Sequence, residues 1–252
     1  MNDADFMRYS RQLLLEDISL DGQQKLLNAS VLIIGLGGLG SPAALYLAGA
    51  GVGTLLIADD DQVHISNLQR QILFTVEDVD QPKTTAARHQ LQRINPDIKV
   101  IPLHQRLAGA ALLDAVTQAD VVLDCSDNMA TRQAVNAACV AASTPLITAS
   151  AVGFTGQLMV LTPPWQQGCY RCLWQDEHEP EHNCRTAGIL GPVVGVMGTL
   201  QALETIKLLT GLSPASGALH LFDARRLDWR ALRMQKSPHC PICGETEHAD
   251  SV

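Results

Sequence analysis

The segment VLIIGLGGLG sets Gly35, Gly37 and Gly40 in G-x-G-x-x-G order, after a β-branched run and ahead of a small-residue stretch. Glycines at these points permit a tight turn, let backbone N–H groups approach a phosphate, and let the following helix pack on the strand. The helix N-terminus adds a dipole that favours an anion. Asp59 ends the next apolar run, where a carboxylate binds ribose hydroxyls in such units. The pattern specifies a nucleotide and leaves NAD, FAD, S-adenosylmethionine and ATP open.

The residues that follow narrow the chemistry. DDQVHISNLQRQILF and QPKTTAARHQLQRINP supply Asn67, Arg70 and Lys83, and Asp127 comes just after the apolar run Asp120–Asp124. Hydride transfer has no need for several cations near the phosphates. Nucleotidyl transfer does, because negative charge moves onto a leaving pyrophosphate and must be met by Arg, Lys and a divalent ion. Asp127 is placed to hold Mg²⁺, which prefers hard oxygen ligands, near the carboxyl ends of strands where open parallel sheets bind ligands. An NAD-dependent oxidoreductase would share the glycines and Asp59 but leave Arg70 and Lys83 without a common purpose.

Seven cysteines are present, and four form two CxxC pairs, Cys169/Cys172 and Cys240/Cys243. Two such pairs read as a closed, four-thiolate structural zinc site. Closing the chain between them costs about 4 kcal/mol by the logarithmic rule, whereas structural zinc contributes roughly 10–16 kcal/mol. Disulfides and a redox CxxC are the competing explanations, and a non-catalytic adaptor stapled by zinc would keep the same cysteines. Cys125 and Cys139 lie in apolar segments and read as core thiols. Cys184, in EHNCRTAG beside Arg185, follows the acidic segment Gln175–Asn183. An adjacent cation favours the nucleophilic thiolate, and the alternative is an incidental loop cysteine.

These side chains need elements to hold them. Val31–Ile34, Thr54–Ala58, Ile98–Pro102, Asp120–Asp124 and Pro145–Thr148 read as strands, alternating with helices over Ser41–Ala50, Lys83–Ile94, Ala110–Thr117 and Ala130–Ala142. That order predicts right-handed crossovers and a mainly parallel sheet. Beyond residue 150 the alternating runs Gly156–Thr162, Ala218–Asp223 and Leu227–Leu232 suit antiparallel strands, with a helix near Val193–Leu209 closed by Gly211. The expectation is one α/β domain over 1–252: a Rossmann-like nucleotide-binding half to about 150, continued by a partly antiparallel, zinc-containing half over about 151–252.

Composition agrees with a globular chain. It has 252 residues, 46% hydrophobic, with 18 Lys+Arg against 26 Asp+Glu for a net charge of −8. No basic stripe suits a nucleic acid. The uncharged stretch from Asn28 to Ala58 is long enough to cross a bilayer, but its glycines and Pro42 divide it into a buried strand-helix-strand unit. The start, MNDADFMRYSRQ, lacks a signal peptide's apolar core. A cytoplasmic protein with reduced thiols, and no membrane partner, is expected.

Taken together, RYSRQ at Arg8–Gln12, SNLQRQ after the ribose acid, QPK opening a helix, DCSDN after the fourth strand and the two Cys pairs resemble one family across nearly the whole chain. The sequence is similar to the ThiF/MoeB group of adenylyltransferases for ubiquitin-like sulfur carriers, relatives of the ubiquitin-activating enzymes. The resemblance implies ATP-binding roles for Gly38, Asp59, Asn67, Arg70, Lys83 and Asp127. It matches Arg11 to an arginine supplied from the neighbouring subunit, and so implies a homodimer. It also implies the reaction, in which the carrier's C-terminal glycine carboxylate attacks the α-phosphate of ATP and pyrophosphate leaves. The carrier is expected to be ThiS, of thiamine thiazole synthesis, with MoaD of molybdopterin biosynthesis as the alternative. A sulfurtransferase or cysteine desulfurase would donate sulfur, and Cys184 takes the position of the family's sulfur-transfer cysteine.

Overall fold

Ser30–Ile34 (β1) is a β-branched and leucine run whose last four residues are buried, as a strand covered by helices on both faces must be. The computed structural model describes residues 1–175 and 188–244. In chain order the larger elements are α1 (Asp3–Leu13), α2 (Ser19–Asn28), β1, α3 (Gly40–Ala50), β2 (Thr54–Ala58), α4 (Lys83–Ile94), β3 (Lys99–Leu103) and α5 (Gly109–Thr117). They continue with β4 (Val121–Asp124), α6 (Met129–Ala142), β5 (Leu146–Val152), β6 (Thr155–Leu161), α7 (Tyr170–Leu173), α8 (Gly191–Thr210), β7 (Ala218–Asp223) and β8 (Asp228–Arg233). The stretch from Asn28 to Ala58 resolves into the end of α2 and a β1-α3-β2 unit, as its glycines imply.

One eight-stranded sheet runs in the order β3-β2-β1-β4-β5-β6-β7-β8. Pairing is parallel from β3 to β5 and antiparallel from β5 to β8. The order reverses between β1 and β4, and ligands of open α/β sheets bind in the crevice at such a switch point. Register levels the strand ends there: Ile34 stands beside Ala58 on one side and Asp124 on the other. The chain therefore leaves β1, β2 and β4 at Gly35, Asp59 and Cys125 at a single height.

Alternate strand residues feed two cores. Val31, Ile33, Leu55, Ile57 and Leu123 pack with α3, α4 and α8, while Leu32, Ile34, Leu56 and Val122 pack with α5, α6 and the cysteine-bearing segment. Helix α8 is long and apolar enough to cross a membrane by composition. Here it supplies buried Val194, Met197 and Ala202 to the first core.

Two departures from the sequence reading concern whole segments. The N-terminal residues form α1 and α2. Helix α1 is closed by a capping box between Asn2 and Asp5 and buries only Tyr9, and α2 buries Gly22, Gln23 and Leu26. Their buried positions are few and, in α2, partly polar. Strand β5 also runs on to Val152, because Ala149–Val152 pair with β6 although Ala149, Ser150 and Ala151 have little strand preference.

Candidate active site

The turn after β1 takes its shape from two glycines. Gly35 has φ of +90°, and a Cβ on Gly40 would stand 2.0 Å from the Gly35 carbonyl oxygen, so neither position accepts a side chain. Gly37 and Gly38 line a cavity of about 1270 Å³ at the switch point. The stem of Arg70 crosses Gly38, with Cγ 3.5 Å from where a Cβ would be.

Asp59, Asn67, Arg70, Lys83 and Asp127, which are distant along the chain, all line this cavity. The Asp59 carboxylate accepts hydrogen bonds from the Leu36 N–H at 2.7 Å and the Asp61 N–H at 2.9 Å, tying β2 to the glycine turn. Burial raises its pKa above the ordinary carboxylate value, and the Lys83 ammonium 3.9 Å away only partly opposes this. Lys83 is itself buried and bonds Asp61 at 2.8 Å. Asn67 ends a 3-10 turn, Ile65–Asn67, and its Oδ1 accepts the His64 N–H at 3.1 Å, which leaves its amide donors to the cavity. Arg70 Nη1 donates to the Ser66 carbonyl at 3.0 Å. Three cation and amide groups thus stand around the glycine turn, with Asp127 on the opposite loop.

That loop rests on a buried polar network which sequence reasoning missed. Asp124, 1% exposed, accepts from Ser126 Oγ at 2.6 Å, Thr148 Oγ1 at 2.8 Å and Arg132 Nη1 at 3.4 Å. Arg132 also donates to the carbonyls of Ser126 and Ala149. It clamps the Asp127-bearing loop to β5, and its side chain lines the cavity. Asn128 caps α6 by accepting the Thr131 N–H, and Arg106 Nη2 reaches both Asn128 and Thr131 at 3.3 Å. The buried residues of α6, Met129, Arg132, Gln133, Val135, Asn136 and Cys139, are partly polar.

The same helix reaches a second centre. The sulfurs of Cys169, Cys172, Cys240 and Cys243 lie within 4.8 Å of one another. Cys169 and Cys240 are 3.7 Å apart, and Cys172 and Cys243 are 3.5 Å apart. Four thiolates on a tetrahedral zinc, each at about 2.3 Å, stand about 3.8 Å from one another, so the cluster could hold that ion. Asn136 Nδ2 and the Ser237 N–H each donate to a cluster sulfur at 3.4 Å, the kind of outer contact that orients metal ligands. Burial raises the Cys169 thiol above its usual pKa. Cys125 and Cys139 are buried, with thiols pushed far up by desolvation, and so are unreactive.

Two residues implied by the resemblance remain to be placed. Arg11 is exposed on α1 and is absent from the lining. Cys184 lies outside the described residues, with most of the acidic segment before it.

A mainly parallel sheet with a glycine turn, a buried acid and cations gathered over its switch point has the architecture of an α/β nucleotide-binding fold. Residues 9–242 match the model of the ThiF family, and the chain belongs to that family. It is 70% identical over 252 residues, covering 100% of both chains, to the sulfur carrier protein ThiS adenylyltransferase of Escherichia coli strain K12. It is 44% identical over 246 residues to the molybdopterin-synthase adenylyltransferase of the same organism, covering 97% of this chain and 99% of the relative. Among solved structures, E. coli MccB with ATP superposes with a TM-score of 0.82 at 28% identity, over 97% of this chain and 75% of that one.

Proposed function

We propose that the protein is an ATP-dependent adenylyltransferase for the sulfur carrier ThiS, acting in thiamine thiazole synthesis. The observation that carries this reading is that Arg70, Lys83 and Asp127 line one cavity with Gly37 and Gly38, in a chain so similar to a ThiS adenylyltransferase. Asp59 binds the ribose, Asn67 orients the phosphates, and Arg70 and Lys83 neutralise their charge. Asp127, an exposed carboxylate on the cavity, offers the hard oxygen that Mg²⁺ prefers. That ion adds positive charge where pyrophosphate departs.

In the reaction the carrier's C-terminal carboxylate oxygen forms a bond to the α-phosphorus. The bond to the bridging oxygen breaks, and its electron pair leaves with pyrophosphate, giving an acyl-adenylate. Ser150, Gln157, Tyr170 and Trp174 also line the cavity, and this part of it is assigned to the carrier's tail. The MoaD reading draws on the molybdopterin-synthase relative and differs only in the carrier docked.

Four further assignments complete the proposal. Zinc occupies the cysteine cluster and ties the C-terminal segment to α6 and α7. A homodimer forms over the N-terminal helices, where Met7 is 79% and Leu14 73% exposed, and carries Arg11 to the partner's phosphates. Cys184 accepts sulfur from a sulfurtransferase or cysteine desulfurase. The protein works in the cytoplasm, where thiols stay reduced. Mass spectrometry of ThiS after incubation with protein, ATP and Mg²⁺ tests the activity: an adenylated carrier is expected, and an unmodified one would overturn the proposal.

A further inference from the structure

Gln71 closes the SNLQRQ segment immediately after Arg70. It is 3% exposed, yet it lines the cavity. Its Oε1 is buried with no hydrogen-bond partner. Its Nε2, 3.7 Å from where a Cβ on Gly37 would stand, makes no hydrogen bond among the described residues. An amide carried inside with neither end paired destabilises a fold, where a methionine of similar size would not. Buried polar groups left in this condition call for a specific explanation.

The surroundings of the amide indicate a partner for its donor end. Its donor end lies beside Gly37 of the glycine turn, on the cavity that Arg70 also lines, in the part of the site read above as the seat of the triphosphate. Ionised phosphate oxygens accept hydrogen bonds, and a primary amide nitrogen supplies donors without adding charge. We propose that Gln71 Nε2 donates to a phosphate oxygen of the bound nucleotide. This fixes the phosphate chain against Gly37, while Arg70 and Lys83 supply the charge. The amide's interior position is then a preorganised binding contact, kept at a cost to the ligand-free fold. The inference rests on the reading of the cavity as a nucleotide site and is independent of which carrier is used.

The test uses the full chain, without carrier, and compares wild type with Gln71→Met and Gln71→Glu. Titration calorimetry measures binding of ATP with Mg²⁺ and of adenosine, and thermal melting is followed without ligand. Gln71→Met is expected to melt no lower than wild type and to bind ATP about tenfold more weakly, about 1.4 kcal/mol, with adenosine affinity unchanged. Gln71→Glu, which sets a negative charge against the phosphates, is expected to bind ATP more weakly still.

Wild-type ATP affinity in Gln71→Met would overturn the proposal. So would equal loss of ATP and adenosine binding, or a markedly lower melting temperature, since each marks a purely structural residue. A wild-type chain that binds no ATP would remove the nucleotide site and this contact together. One that binds ATP but adenylates no carrier would remove only the carrier assignment and leave the Gln71 contact supported.

Discussion

Arg132 holds Asp124 in the interior: Nη1 lies 3.4 Å from Asp124 Oδ2, with the two side chains 8% and 1% exposed. The pair makes the DCSDN loop a rigid platform for Asp127. Removing one partner of a buried ion pair leaves an uncompensated charge and costs about 3–5 kcal/mol. Urea unfolding of Arg132→Ala should show a loss of that size. Arg132→Lys keeps the charge but cannot reach the Ser126 and Ala149 carbonyls together, so it should lose less stability while pyrophosphate exchange still falls at least tenfold. Unaltered exchange in the lysine variant would detach the clamp from the chemistry.

The cysteine cluster gives a compositional prediction. Elemental analysis of purified protein should find one zinc per chain in wild type and clearly less in Cys172→Ser or Cys243→Ser. Thermal stability should fall in parallel, because the segment from Met234 to Gly244 loses its tie to α7. A full zinc complement in both variants would contradict four-thiolate ligation.

Asp59 sets a pH dependence whose sign follows from its raised pKa. Only the carboxylate accepts hydrogen bonds from both ribose hydroxyls, so binding needs the ionised form. Adenosine affinity, which avoids titration of ATP's own phosphates, should fall as pH drops through a midpoint above the free-aspartate value of about 3.9. Stability follows the opposite course. The ionised form is disfavoured in the fold, so the penalty is absent below the unfolded value, grows as pH rises to the folded one, and is complete above it. An adenosine-binding midpoint at or below the free value would show that burial does not govern Asp59.

For Cys184→Ser, adenylation of the carrier should survive and formation of the carrier thiocarboxylate should fail. Thiocarboxylate yield measured by mass spectrometry checks this, and an undiminished yield would make the residue incidental.

The parallel half was legible because its signals are local. The run before Gly35, the glycine order and Asp59 at the end of β2 each follow from what a single strand or turn requires. The Cys pairs were legible because metal ligation constrains residue type more strongly than fold does. What escaped depends on tertiary placement. Arg132 matters because register sets Asp124 beside Thr148, which spacing along α6 does not reveal. Gln71 carries no local signal of burial, yet it is 3% exposed and lies beside Gly37. The N-terminal helices were missed because α1 is mostly exposed and α2 buries a glutamine.

The central claim is that Arg70, Lys83 and Asp127, gathered at the switch point, make the α-phosphate of ATP open to attack by a carrier carboxylate. Isotope exchange between pyrophosphate and ATP, run separately with ThiS and with MoaD, tests it most directly. The account predicts rapid exchange with ThiS, little with MoaD, and at least a hundredfold loss in a folded Asp127→Ala variant. Exchange that is absent with both carriers, or unchanged in Asp127→Ala, would contradict it.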